Sequence, residues 1–182
     1  WRWTLGLALG ILLFLFLYNT PPGLLGKADA LGYAVCHRIE ARSFTVNGRV
    51  LPLCARCTGM YLGAAAGLVY QFIAGRRRTS MPPWRVLIPL GLFVVAFGVD
   101  GVNSYLQLFP NPPKLYDPQN WLRLLTGLGM GTVLAAGLYP AFNQTIWRDW
   151  DIRPAISGLR SLGGLVLLNL ALAALVLSGS PW

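Results

Sequence analysis

The chain has 182 residues, of which 55% are apolar and only 12% charged, with 7 Trp, 8 Phe and 7 Tyr. Soluble domains average about 25% charged residues, so this composition and a mean hydropathy of +0.54 argue against a soluble enzyme, a disordered tail or a disulfide-rich secreted module. The formal charge of +9 does not read as nucleic-acid binding, because the cations sit in loops between apolar runs and not on a basic face with interleaved aromatics.

Five apolar stretches follow one another: Trp3 to Tyr18, Thr58 to Gly75, Val86 to Phe109, Asn120 to Phe142 and Gly158 to Ser178. They predict an all-α integral membrane protein, a single membrane domain built as a compact bundle of about five transmembrane helices, at about 3–18, 55–75, 85–109, 120–142 and 158–178. Crossing the hydrocarbon core takes roughly 20 residues, and the first stretch is short by that measure. Arg2, the apolar run and Ala28-Asp29-Ala30 imitate a signal peptide, but the stretch is read as a transmembrane helix. The chain opens on Trp1, not Met, which leaves room for residues before it.

A long loop, residues 19–53, separates the first two helices and opens on Pro21-Pro22. Asn47-Gly48, flanked by Phe44-Thr45-Val46 and Arg49-Val50-Leu51, predicts a short hairpin. Loops of this length are often functional.

Orientation follows from where the cations fall. Putting Arg76, Arg77, Arg78 and Arg85 in the cytoplasm also puts Arg2, Arg148, Arg153 and Arg160 there, eight in all. The far side then holds seven: Lys27, Arg38, Arg42, Arg49, Arg56, Lys114 and Arg123. The margin widens if Arg38, Arg42, Arg56 and Arg123 belong to a site. The expectation is a plasma-membrane protein (the inner membrane where a cell has two) with the N-terminus inside and the 19–53 loop extracytoplasmic. Cytoplasmic loop charge would meet anionic lipid headgroups.

All three cysteines and the only histidine lie within 22 residues, as Cys36-His37 and Cys54-Ala55-Arg56-Cys57. Three thiolates and an imidazole make a Cys3His set suited to tetrahedral zinc, and two residues between cysteines is ordinary ligand spacing. Against this stand the readings of small buried hydrophobes and of a redox-active dithiol. Adjacent ligands such as Cys36 and His37 are also geometrically awkward.

Within the third helix Asp100, Asn103, Ser104 and Gln107 form a polar stripe, matched by Asn120, Arg123 and Thr126 on the fourth. Ionisable groups inside spans face the protein interior and mark functional candidates. Both stripes are expected beside the Cys/His loop, where Asp100 and Arg123 either pair with each other or line a site. Arg38, Arg42, Arg56 and Arg123, with Asn103 and Asn120, would then form a pocket for a phosphate or carboxylate headgroup. If one metal position stayed open, Asp100 would act as base on a bound water. Glycines 59, 63 and 67 on the second helix, and 127 and 131 on the fourth, predict close backbone approach.

These residues resemble a family of polytopic prokaryotic membrane proteins, domain-of-unknown-function family 2085. The resemblance rests on Cys36-His37-Arg38, Arg42-Ser43-Phe44 and Cys54-Ala55-Arg56-Cys57-Thr58-Gly59. It continues with Asp100-Gly101 and with Asn120, Arg123, Thr126 and Gly127, covering about residues 30 to 130. It implies a membrane protein and supplies no reaction or substrate. Where such proteins usually show a longer polar run, this chain has the proline-rich Pro110 to Pro118, so the approach to the fourth helix is expected to differ.

Three functions remain open from the residues. One is a zinc-bearing membrane protein with an arginine-lined pocket for an anionic, lipid-like ligand. The second is a non-catalytic subunit of a larger membrane assembly, with the apolar fifth helix as a lipid or partner face. The third is an extracytoplasmic thiol–disulfide oxidoreductase, which the odd cysteine count disfavours. Whether the protein is an enzyme is left open.

Overall fold

The structure is a computed structural model that describes residues 1–109, 113 and 115–179. Pro110 and Pro112 of the proline-rich run, and Lys114 of the charge count, lie outside the described residues. In chain order the elements are α1 (Arg2–Asn19), α2 (Leu24–Val35), a 3-10 turn (Glu40–Arg42), β1 (Ser43–Val46), β2 (Arg49–Cys54) and α3 (Ala55–Ala74). Then come β3 (Arg78–Ser80), α4 (Trp84–Leu106), α5 (Asn120–Ile146), β4 (Asp151–Pro154) and α6 (Leu159–Leu177).

Helices α3, α4, α5 and α6 are each long and apolar enough to cross a membrane, and α1 with α2 passes jointly as a fifth span, bent by 110° at the break. The chain is thus an all-α membrane bundle. The break has a local cause. Pro21 and Pro22 carry no N–H to continue the helix, and Gly23 takes φ 86°, a backbone setting that favours glycine.

One expectation needs correction: the 19–53 connection is not all loop, because it contains the 12-residue helix α2. Leu24, Ala28, Leu31 and Val35 recur at helical spacing after the Pro21-Pro22-Gly23 break, too briefly to span and so easily passed over. Helix α2 docks on β2 through Gly32, where a Cβ would collide with the carbonyl of Pro52. The hairpin is as expected. β1 and β2 run antiparallel with Val46 opposite Arg49, and Asn47 and Gly48 take φ 50° and 77°, as a two-residue type I′ turn requires.

The bundle is organised by α3 and α5, which run parallel with both N-termini at the hairpin end. A Cβ on Gly59 or Gly63 would strike the carbonyls of Leu124 or Leu128, and one on Gly127 or Gly131 those of Arg56 or Met60. The glycines therefore let the two backbones touch, the arrangement that replaces the hydrophobic effect between helices in lipid. Gln71, buried between them, donates from Nε2 to Gly67 O at 3.1 Å and Ala135 O at 2.9 Å. Asn169 of α6 donates to Thr132 Oγ1 at 2.7 Å, so the polar group on that helix faces the bundle.

Val86, Leu90, Ala136, Ile156, Leu162 and Leu165 form the core at the end away from the hairpin. Leu124, Leu128 and Ala173, with Phe44 and Leu62 against them, form the core nearer it. At the far end β3 and β4 pair in parallel, Arg78 opposite Asp151. Asn143 and Gln144 of α5 donate to the carbonyls of Arg78 and Thr79 at 2.8 and 3.0 Å, which fastens the strands to the bundle.

Candidate functional site

The hairpin carries the chain from the end of α2 back to the start of α3, and so gathers residues 18 and 21 positions apart. Cys36 follows α2, Cys54 ends β2 opposite Ser43, and Cys57 lies in the first turn of α3. Their three sulfurs lie within 4.8 Å of one another, and all three are free thiols. The backbone N–H of Cys54 donates to Cys36 Sγ at 3.3 Å. Burial pushes the Cys36 thiol up, but the N–H groups of Cys54 and Arg38 and the neighbouring thiols outweigh it and hold it below its ordinary value.

His37 does not join the sulfurs. Cys36 is extended, at φ −148° and ψ 141°, and successive side chains of an extended chain leave on opposite sides. His37 is exposed.

Beside the sulfurs lies the polar pocket. Arg56, between Cys54 and Cys57, donates from Nε to Asp100 Oδ2 at 3.1 Å and from Nη2 to the same carboxylate oxygen. That Nη2 also reaches the carbonyl of Asp100 and Ser104 Oγ, both at 3.0 Å. Tyr116 donates its hydroxyl to Asp100 Oδ1 at 2.8 Å, and Thr126 approaches Oδ2 at 3.5 Å. Asp100, only 1% exposed, has both oxygens occupied. A carboxylate held this way anchors its donors.

Three arginines converge on Ser104. Arg42 donates to its carbonyl at 3.0 Å, Arg56 to its hydroxyl at 3.0 Å and Arg123 to the same hydroxyl at 3.5 Å. Arg123 therefore does not form the ion pair with Asp100 that its position allowed; its other partner is Asn120 Oδ1 at 2.8 Å. Asn120 in turn donates to the carbonyls of Ala41 and Ser43, tying α5 to the hairpin.

Two expected pocket residues lie elsewhere. Arg38 turns to α2, where it pairs with Asp29 at 2.8 Å and lies 4.3 Å from the ring centre of Tyr33. Asn103 engages the segment before α5: its amide donates to Tyr116 O at 3.0 Å and accepts from the N–H of Leu115 at 2.9 Å.

Tyr116 and Asp29 were not read as site residues from the sequence. Tyr116 sits in a segment with no periodicity to aim it. Asp29, which also holds Arg49, had a signal, since it and Glu40 are the only acids between α1 and α3. Burial and the bond to Asp100 raise the Tyr116 phenol above its ordinary value.

The family described as predicted membrane protein (DUF2085) matches residues 36–136, which span every cysteine and the whole arginine pocket. An uncharacterised protein of Methanothermobacter thermautotrophicus is 35% identical over 101 residues, 56% of this chain and 81% of its own. One from Methanocaldococcus jannaschii is 29% identical over 118 residues, 64% of this chain and 69% of its own. No solved structure matches. A multi-pass membrane protein with this match over more than half its length belongs to the DUF2085 family of predicted membrane proteins.

Proposed function

We propose that the three cysteines bind a thiophilic divalent metal, zinc foremost, beside a pocket for an anionic ligand. The observation that carries this reading is the meeting of three sulfurs from three separate elements within 4.8 Å. A tetrahedral zinc site with Zn–S bonds of about 2.3 Å sets its sulfurs about 3.8 Å apart, within reach of small side-chain adjustments. Three protein ligands leave a fourth position for water or a ligand atom, the arrangement of a catalytic or ligand-binding metal; filling it with protein would make the site structural.

Arg42 and Arg123 supply the second half. Among the described residues their hydrogen-bond partners are uncharged oxygens, and an arginine fork that meets no carboxylate among them suits a phosphate or carboxylate group. A lipid headgroup has that chemistry. The hairpin end faces outward across a prokaryotic plasma membrane in this reading. The far end carries Arg76, Arg77, Arg78 and Arg85 between the end of α3 and the first turn of α4, while Arg38 and Arg56 at the hairpin end are engaged by Asp29 and Asp100.

Elemental analysis of purified protein tests the metal. The expected result is about one equivalent of zinc, lost in Cys36→Ser, Cys54→Ser and Cys57→Ser. Metal-free protein in which two of the cysteines are oxidised together would instead favour thiol–disulfide exchange. Neither metal nor disulfide would favour the scaffold of a larger assembly. Titration with inorganic phosphate tests the pocket, with binding weakened in Arg42→Gln.

A further inference from the structure

The end of the bundle away from the cysteines carries a second arrangement, independent of the metal reading. Between α3 and α5 an apolar groove of about 800 Å³ opens outward, lined by Leu68, Phe72, Leu138, Phe142, Ile146 and Trp147. Sites for small molecules commonly have volumes of about 300–1,000 Å³.

The mouth of this groove is built. Trp147 donates its indole N–H to Asn143 Oδ1 at 3.2 Å, and Asn143, 2% exposed, donates to the carbonyl of Arg78 at 2.8 Å. The ring is therefore fixed through α5 to β3. Two guanidinium groups lie against it: Arg77 at 4.7 Å from the ring centre and Arg76 at 5.9 Å, with Arg76 also 5.4 Å from the ring of Phe72. Neither Arg76 nor Arg77 meets a carboxylate or a hydrogen-bond acceptor through its side chain among the described residues. Arg153, at the same end, differs, because it holds Asp151 at 2.8 Å.

Length and charge together identify the occupant. From Leu138 to Trp147 the helix rises about 14 Å, close to the roughly 15 Å hydrocarbon thickness of one leaflet. A groove of that length, apolar along its floor and cationic only at its rim, matches an acyl chain that carries an anionic head. A partner helix would leave the two guanidinium groups at the rim unmet, and a soluble anion would make no use of the floor. We infer that this groove binds an anionic phospholipid, one acyl chain lying between α3 and α5 and the phosphate resting on Arg76 and Arg77.

Native mass spectrometry of the purified protein, released from nanodiscs of equal parts phosphatidylglycerol and phosphatidylcholine, tests this. The expected spectrum shows one retained phosphatidylglycerol, favoured over phosphatidylcholine by about tenfold, which corresponds to about 1.4 kcal/mol. Arg76→Gln with Arg77→Gln should bring the two lipids to parity, whereas Arg153→Gln should leave the preference intact. Leu138→Trp, which fills the groove and spares both arginines, should abolish retention of that lipid. Thermal midpoints near wild type would show that these variants fold.

No preference in wild type would overturn the inference, as would a preference that survives loss of both arginines. Competition by glycerol phosphate as effective as by the lipid would assign the arginines to a soluble anion and also overturn it. So would a dimer that Leu138→Trp dissociates, since the groove would then belong to a second copy.

Discussion

Arg56 of α3 grips Asp100 of α4 through both Nε and Nη2, and its Nη2 also reaches the carbonyl of the same residue at 3.0 Å. One side chain thus fixes both the backbone and the carboxylate of the facing helix, at a level where Asp100 is almost wholly removed from solvent. Breaking such a pair from one side costs about 3–5 kcal/mol, because the remaining charge is buried without a partner. Asp100→Asn should therefore destabilise the protein by an amount of that order in thermal or SDS unfolding. Combining it with Arg56→Gln should recover part of the loss. An additive double variant would mean that the pair contributes nothing as a pair.

The glycine contacts make a sharper distinction. Gly59 and Gly127 face backbone across the α3–α5 seam, while Gly137 on the same α5 has nothing within 4 Å of a Cβ. Gly59→Ala and Gly127→Ala should each cost about 1–3 kcal/mol through forced separation of the helices. Gly137→Ala should be neutral or stabilise by about 0.5–1 kcal/mol, since glycine gives up more backbone freedom than alanine on entering a helix. Unfolding midpoints of the three variants, measured side by side, decide it.

The cysteine geometry separates two ligand sets. With His37 exposed and the three sulfurs gathered, His37→Ala should keep the bound zinc, whereas Cys36→Ser should release it. Metal analysis of this pair is the direct check. Equal loss in both would return the histidine to the coordination shell.

Tyr116 gives a pH dependence with a definite sign. Its folded value is raised above 10.0 by burial and by the carboxylate it serves, so the neutral phenol is the form the fold favours. Its contribution is fully present below about pH 10, where the unfolded chain also keeps the proton, and declines as pH rises from there through the folded value. Relative to Tyr116→Phe, wild type should be more stable by about 1.5 kcal/mol at neutral pH, as expected for a hydrogen bond to a charged group. That advantage should shrink above about pH 10. A constant difference across the alkaline range would remove the Asp100 contact from the account.

Much of the architecture was legible because lipid imposes a long apolar period on each span. The sequence placed α3 to α6 with α5 starting at Asn120, and the Asn47-Gly48 turn and the glycine seam were read directly. Helix α2 was not, because twelve residues of mainly Leu, Ala and Gly, with Lys27 and Asp29 among them, resemble neither a span nor an ordinary loop. In the site, the polar stripes pointed to the right neighbourhood, and of the two readings they left open the Asp100–Arg123 pair is not the one that forms. Whether Asp100 meets Arg56 or Arg123 depends on how α3 is rotated about its axis. Contacts of Gly59 and Gly63 with α5 set that rotation, and they are long-range. His37 was included because composition counts ligands, while the extended backbone at Cys36 decides which of two neighbours faces inward.

The parallel course of α3 and α5 has an electrostatic consequence. Each helix carries about half a positive elementary charge at its N-terminus, and both N-termini open at the end that holds Cys54, Cys57, Asn120 and Arg123. Their fields add there, where an antiparallel pair would have cancelled. This contribution comes from peptide bonds, so no change of pH titrates it away. Cys54 and Cys57, at the start of α3, sit within reach of that field, which stabilises a thiolate before a single arginine is counted. Asp100, by contrast, lies toward the C-terminal end of α4, whose own field there has the opposite sign and leaves the carboxylate to Arg56 and Tyr116.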